Sequence, residues 1–292
     1  MRALVFATTL VAVPAAAQDL PVIATVSYPL AWMAERLAGD EATVVFPVPE
    51  GEDPAFWRPS IADITIYQSA DLVALNGADF AQWTERASLP RSRLVDTSAP
   101  FADALIETES VTHSHGNGEE HSHTGVASFT WLDFQQAADQ AGALAAGMSQ
   151  LDGLAQTVAL NLSAVEDDLT RLHVQATQVG ARLDGKIAIA SHPRYQYFSR
   201  AYGVEISAVE WEAGAAPTEA ELAALAALVL ETGATLFIWE AEPPAEARES
   251  VAALGLSDAV LPPLANRPAE GDFLTNMSEA LNALDRAAGM VN

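Results

Sequence analysis

The 292-residue chain sets 39 aspartates and glutamates against 14 lysines and arginines, a formal charge of −25, and has no cysteine. That charge repels nucleic acid and anionic lipid and favours cations as guests, although acidity of this kind also serves simply to keep an exported protein soluble. The missing cysteines exclude disulfides, thiolate zinc sites and cysteine nucleophiles, which leaves histidine and carboxylate as the strong ligands.

The chain opens apolar from Met1 to about Val13, then reaches Pro14 with Ala15 and Ala17 placed as an export peptidase requires. Residues 1–17 read as a secretory signal, the mature chain is expected to begin at Gln18, and the location implied is the periplasm. No later window holds the roughly 18 uninterrupted apolar residues of a membrane span, so a soluble mature protein is expected.

Short β-rich runs then alternate with helical patterns. Val22–Val26, Thr43–Pro47, Leu72–Leu75 and Arg93–Val95 are predicted strands, with helices near Ala31–Leu37 and Ile61–Ser69. Strand signals vanish from Asp133 to Leu183, and Leu160–Leu183 carries leucine, valine and alanine at helical spacing, which predicts a long helix. Alternation resumes with predicted strands at Ile187–Ala190, Glu205–Val209, Leu236–Trp239 and Ala259–Leu261. The fold class expected is α/β, two Rossmann-like lobes with parallel sheets joined by one backbone helix: residues 18–154, a linking helix at 155–185, and residues 186–292. Ligands of such sheets bind beyond the carboxyl ends of the strands, here in a cleft between lobes, and a single-helix connection implies only modest closure.

A polar loop at 112–125 interrupts the first lobe. It reads Thr112-His-Ser-His-Gly-Asn-Gly-Glu-Glu-His-Ser-His-Thr124, so four of the six histidines fall within eleven residues. Extended backbone points the rings of His113 and His115 to one side, and likewise those of His121 and His123. Imidazole suits zinc, copper and nickel, and the two glutamates add oxygen donors. Further on, His192 ends one predicted strand and Glu240 another, which places a histidine and a carboxylate on the same strand-end face. His173, inside the long helix, reads as structural. Phe56, Trp57, Trp131, Tyr195, Tyr197 and Trp211 cluster near strand ends and either pack or line a pocket. The nucleophile elbow, the phosphate-binding loop, the dinucleotide fingerprint and His-Glu-x-x-His are all absent, so no enzyme is expected.

Val22-Ile-Ala-Thr-Val-Ser-Tyr-Pro-Leu30, Gly51-Glu-Asp-Pro-Ala-Phe-Trp-Arg-Pro-Ser60, Ala70-Asp-Leu-Val-Ala-Leu-Asn-Gly77, Trp131-Leu-Asp133, Ser191-His192 and Phe237-Ile-Trp-Glu240, with the histidine loop, carry a resemblance across the whole mature chain. The chain resembles the zinc and manganese substrate-binding proteins of bacterial ABC importers (cluster A-I), in particular the zinc-uptake branch with its His-rich loop. The resemblance implies a monomer that delivers a metal ion to an inner-membrane permease. It also implies a cleft site of three histidines and one carboxylate. His192 matches one of those histidines, and Glu240 matches a glutamate that such proteins often carry near the site. The other ligand positions hold Ala55, Phe129 and Pro262. The favoured expectation is that loop histidines complete a zinc site with His192 and Glu240. The alternatives are a cleft for a metal chelate such as a siderophore complex, walled by Trp57, Arg58, Trp131 and the tyrosines, or a periplasmic zinc chaperone that uses only the loop. Manganese is disfavoured, because it prefers oxygen donors.

Overall fold

The computed structural model describes residues 20–108 and 125–290. The expected export signal and the loop histidines His113, His115, His121 and His123 lie outside the described residues. The first lobe runs β1 (Val22–Thr25), α1 (Tyr28–Ala38), β2 (Thr43–Val45), α2 (Ile61–Ser69), β3 (Leu72–Leu75), α3 (Trp83–Arg86) and β4 (Leu94–Asp96). A two-stranded antiparallel ribbon of β5 (Glu107–Thr108) and β6 (Gly125–Val126) follows, then α4 (Phe134–Met148) and α5 (Ala155–Arg182). The second lobe runs β7 (Ile187–Ala190), α6 (Gln196–Tyr202), β8 (Glu205–Ala208), α7 (Glu219–Thr232), β9 (Leu236–Trp239), α8 (Ala245–Ala253), β10 (Ser257–Val260) and α9 (Phe273–Met290).

Both four-stranded sheets are parallel, in the orders β2-β1-β3-β4 and β8-β7-β9-β10. The two lobes are therefore wound alike. In each, the chain reverses its direction of travel across the sheet between the first strand and the third, which opens a crevice at those strand ends. The central strands β1, β3, β7 and β9 are short, mostly apolar and largely buried runs, and every residue of β9 is buried. Local chemistry sets the helix starts. Ser60 and Thr218 form reciprocal capping boxes with Asp63 and Glu221, and Pro29 occupies the first turn of α1, where its missing N–H costs nothing. That proline brings the start of α1 back to Tyr28, earlier than apolar spacing alone predicts.

The long helix is α5. Its buried stripe of Val158, Val165, Leu169, Leu172, Ala176 and Val179 advances in steps of three, four and seven, so one face stays inward for the whole length. Its first half holds the first lobe, where Asn161 donates to the Leu37 carbonyl at 3.2 Å and the buried Asp168 pairs with Arg36 and Arg171. The second half holds α9, with Gln175 donating to the Ser278 carbonyl at 2.9 Å. The helix is not the sole connection. Tyr28 N–H donates to the Ala265 carbonyl at 2.8 Å, Trp131 Nε1–H donates to the Pro263 carbonyl at 2.7 Å, and one apolar core runs from Ile23 to Leu236.

α5 and the end of α6 meet closely at Gly180. A Cβ there would lie 3.0 Å from both the Tyr202 carbonyl carbon and Cβ, and nearer still to the carbonyl oxygen. Backbone atoms cannot swing aside. Glycine to alanine in a helix ordinarily gains about 1 kcal/mol; here overpacking reverses the sign, and Gly180→Ala is expected to destabilise by about 2 kcal/mol in a urea titration. A stabilised variant would mean that α5 and α6 pack less closely than described.

Candidate metal centre

Two strand ends in the second lobe build the centre. His192 lies two residues past the end of β7, with Ser191 between, Glu240 follows β9 directly, and these two strands are neighbours. The Glu240 backbone N–H donates to Ser191 Oγ at 2.9 Å, tying the two ends together at the crevice where the sheet reverses. His192 Nδ1 stands 3.2 Å from the Trp211 carbonyl and 3.9 Å from Glu240 Oε2. A carbonyl oxygen only accepts, so Nδ1 carries the hydrogen and Nε2 bears the lone pair. The two expected site residues are thus brought together.

A third side chain stands between the lobes. Arg194, only 7% exposed, places Nε 2.6 Å from Glu240 Oε1 and its terminal NH2 group 2.7 Å from Asp53 Oδ2. Asp53 belongs to the first lobe, so the guanidinium bridges the junction. Its Cζ lies over the Phe129 ring, 4.6 Å from the centroid, and over that of Phe56 at 5.9 Å. Phe129 is itself buried against Phe80 and Trp131. The backbone beside it is pinned by Asn76, whose amide donates to the Ser128 carbonyl at 3.0 Å, while Gln140 bridges Asn76 Oδ1 and Thr97 Oγ1 at 3.1 and 2.9 Å. The position where the resemblance implies a histidine therefore holds an aromatic platform for a cation that the protein supplies.

Burial pushes the Glu240 carboxyl above the usual glutamate range, and Asp53 adds to the shift; Arg194 and His192 oppose it. Glu240 Oε2 is buried and accepts no hydrogen bond. Nε of Arg194 approaches Oε1 closely but is not aligned as a hydrogen bond. One carboxylate oxygen is left facing His192 without a donor, which suits a cation ligand better than a finished structural ion pair. Among the described residues, no three histidine, aspartate or glutamate side chains converge as a cage.

The chain leading into β5 borders the same neighbourhood. A cavity of about 590 Å³ is lined by His192, Pro193, Gln196 and Ile106, and Ile106 directly precedes β5. Ile106 N–H donates to Tyr197 Oη at 3.2 Å and Arg200 donates to the Ala104 carbonyl at 2.6 Å, which fasten that segment to α6. The aromatic walls divide. Trp131 and Tyr197 are buried without exposed surface and line no described cavity, whereas Tyr195, whose hydroxyl donates to the Leu261 carbonyl, lines the cavity beside His192. Phe56, Trp57 and Arg58 do line a separate cavity of about 610 Å³, with Trp83 and Arg86. His173 lies 3.4 Å from Tyr202 Oη, away from the cleft residues. Sequence reasoning missed Arg194 and Asp53 as members of the site. The only signal was an arginine two residues past the strand-end histidine in a chain poor in basic residues.

The model of the family ZnuA, zinc-uptake complex component A periplasmic, matches residues 22–287. The manganese-binding lipoprotein MntA of Halalkalibacterium halodurans is 26% identical over 184 residues, which cover 61% of this chain and 56% of that protein. Among solved structures, the Zn(II)-bound ZnuA-like domain of Streptococcus pneumoniae AdcA superposes with a TM-score of 0.77 at 19% identity, covering 93% of this chain and 99% of that one. The substrate-binding protein FpvC of Pseudomonas aeruginosa in complex with Mn2+ superposes with a TM-score of 0.73 at 21% identity, covering 94% and 99%. At these identities the superpositions establish the fold.

Proposed function

We propose that this chain, which belongs to the ZnuA family, is an extracytoplasmic solute-binding protein, not an enzyme, that captures zinc and passes it to an ABC-type importer of the inner membrane. The observation that carries this reading is the pairing of His192, with Nε2 free, and Glu240, with an unpartnered buried oxygen, at the crevice of the second sheet. Two protein donors fall short of the four that zinc generally takes in a closed site. His121 and His123 are proposed to complete the set, with His113 and His115 as an outer collecting site.

Thermal melts of the untagged protein in chelator-buffered zinc test the reading. Binding to the folded state adds about 2.7 kcal/mol of stability once free zinc reaches a hundred times the dissociation constant. His192→Ala and Glu240→Gln are each expected to weaken binding about tenfold or more, roughly 1.4 kcal/mol. A melting curve unmoved by zinc overturns the assignment. Acid should release the metal. A protonated imidazole cannot ligate, and Glu240, its carboxyl held high by burial, takes up a proton sooner than an ordinary glutamate as pH falls. Both effects weaken binding in the same direction, so affinity measured by competition at a series of pH values should decrease monotonically toward acid.

The second cavity favours one other ligand class. Phe56, Trp57, Trp83, Arg58 and Arg86 around about 610 Å³ suit an anionic aromatic chelate that brings its own metal. If an iron complex of an aromatic chelator raises the melting temperature while buffered zinc does not, this reading replaces the first.

A further inference from the structure

We propose that Arg194 is the specificity-determining residue of the cleft: its guanidinium is a resident cation that holds one oxygen each of Asp53 and Glu240 at the lobe junction, so that an arriving metal ion finds imidazole and Glu240 Oε2 free and the other carboxylate oxygens engaged. This rests on the reading that the cleft takes a metal, and it concerns which metal enters and by what step. Arg194 reaches Asp53 in one lobe and Glu240 in the other at 2.7 and 2.6 Å, and Phe129 covers its face at 4.6 Å. An arginine cannot lose its charge in a protein, so the occupation is permanent until a competitor of equal or greater charge displaces it. Of the four oxygens of these two carboxylates, Glu240 Oε2 is the one buried without a hydrogen bond or a guanidinium contact, 3.9 Å from His192 Nδ1.

Two consequences follow. Loading is an exchange, because a divalent ion gains the Glu240 carboxylate as the guanidinium moves off it. The exchange also discriminates. Manganese draws its affinity from oxygen donors, which Arg194 withholds, whereas zinc draws much of its affinity from imidazole, which Arg194 leaves alone. The same contact links the lobes through Asp53, so metal entry loosens a tie across the junction as it forms a new one.

The test compares zinc and manganese affinities of the full chain, measured against a competing chelator, in wild type, Arg194→Gln and Arg194→Lys. Arg194→Gln frees both carboxylates. Manganese affinity is expected to rise about tenfold or more and zinc affinity less, so the zinc-to-manganese ratio falls. Arg194→Lys restores a cation without the fork and should recover part of the ratio. An unchanged ratio in Arg194→Gln overturns the proposal. Should that variant fail to fold, the Nε–H nitrogen resonance of Arg194 in wild type answers instead. Saturating zinc is expected to shift it as the guanidinium leaves Glu240, and a resonance unmoved at saturation overturns the proposal. Wild type that takes no zinc defeats the functional reading, while a manganese gain in Arg194→Gln still stands or fails separately.

Discussion

Trp131→Ala is expected to destabilise the chain by about 4 kcal/mol, the typical cost of emptying a fully buried tryptophan site. Trp131 has no exposed surface, packs edge-on against Phe80 at 5.3 Å, and lies 5.1 Å from Phe129. Its Nε1–H also donates to the Pro263 carbonyl of the opposite lobe at 2.7 Å. Alanine leaves a cavity at the junction and a carbonyl without its donor, two losses that reinforce one another. Trp131→Phe keeps most of the ring and loses the donor, so it should cost less, about 1–3 kcal/mol. Chemical denaturation of both variants separates packing from hydrogen bonding. The effect should reach the site as well: Phe129 leans on Trp131, and Arg194 leans on Phe129, so Trp131→Ala should also narrow the zinc-to-manganese preference. A loss of stability below about 1 kcal/mol would mean that the first lobe holds its end of the cleft without this tryptophan.

The second large effect is expected from the loop. Replacing His121 and His123 with alanine should weaken tight zinc binding about tenfold or more, and replacing His113 and His115 should weaken it less. Chain length gives the reason for the asymmetry. Gly125 pairs with Thr108 at the base of the ribbon. His123 is two residues from Gly125 and His121 four, a reach of at most about 7 and 14 Å at full extension, while His113 is five residues from Thr108. That base lies against α6 and borders the cavity that His192 lines. A double-mutant cycle decides whether loop and cleft share one ion. If His121, His123 and His192 ligate the same zinc, His192→Ala costs much less once the loop pair is gone, because the shared site is already broken. Additive costs, or equal affinity in wild type and a variant lacking residues 112–125, would refute the shared site and return the cleft to some other ligand.

The alternation of strand and helix, the two lobes and the long connecting helix were legible in the sequence because each depends on local periodicity. Four-residue apolar runs such as Leu236–Trp239 leave a signal of their own, and so does the repeating stripe of α5. The placing of His192 and Glu240 was legible for the same reason: a polar residue that directly follows an apolar strand lies at the strand-end face of any parallel sheet. The ribbon of β5 and β6 was not legible, since two-residue strands carry no period to read.

Arg194 is the part that only tertiary structure decided. In the sequence it is one arginine after a proline, 141 residues from Asp53 and 46 from Glu240, and nothing local separates it from a surface charge. Ala55 and Phe129 read as ligands lost. In the folded chain Phe129 becomes the platform under a guanidinium, and the Ala55 N–H donates to Asp53 Oδ1 at 2.9 Å, holding the carboxylate that the guanidinium reaches. Whether the loss of a histidine empties a cation site or hands it to another cation depends on contacts across two lobes. Those contacts are set by the burial of α5, Trp131 and Tyr28 at the junction, because a buried charge persists only where partners from both sides meet it.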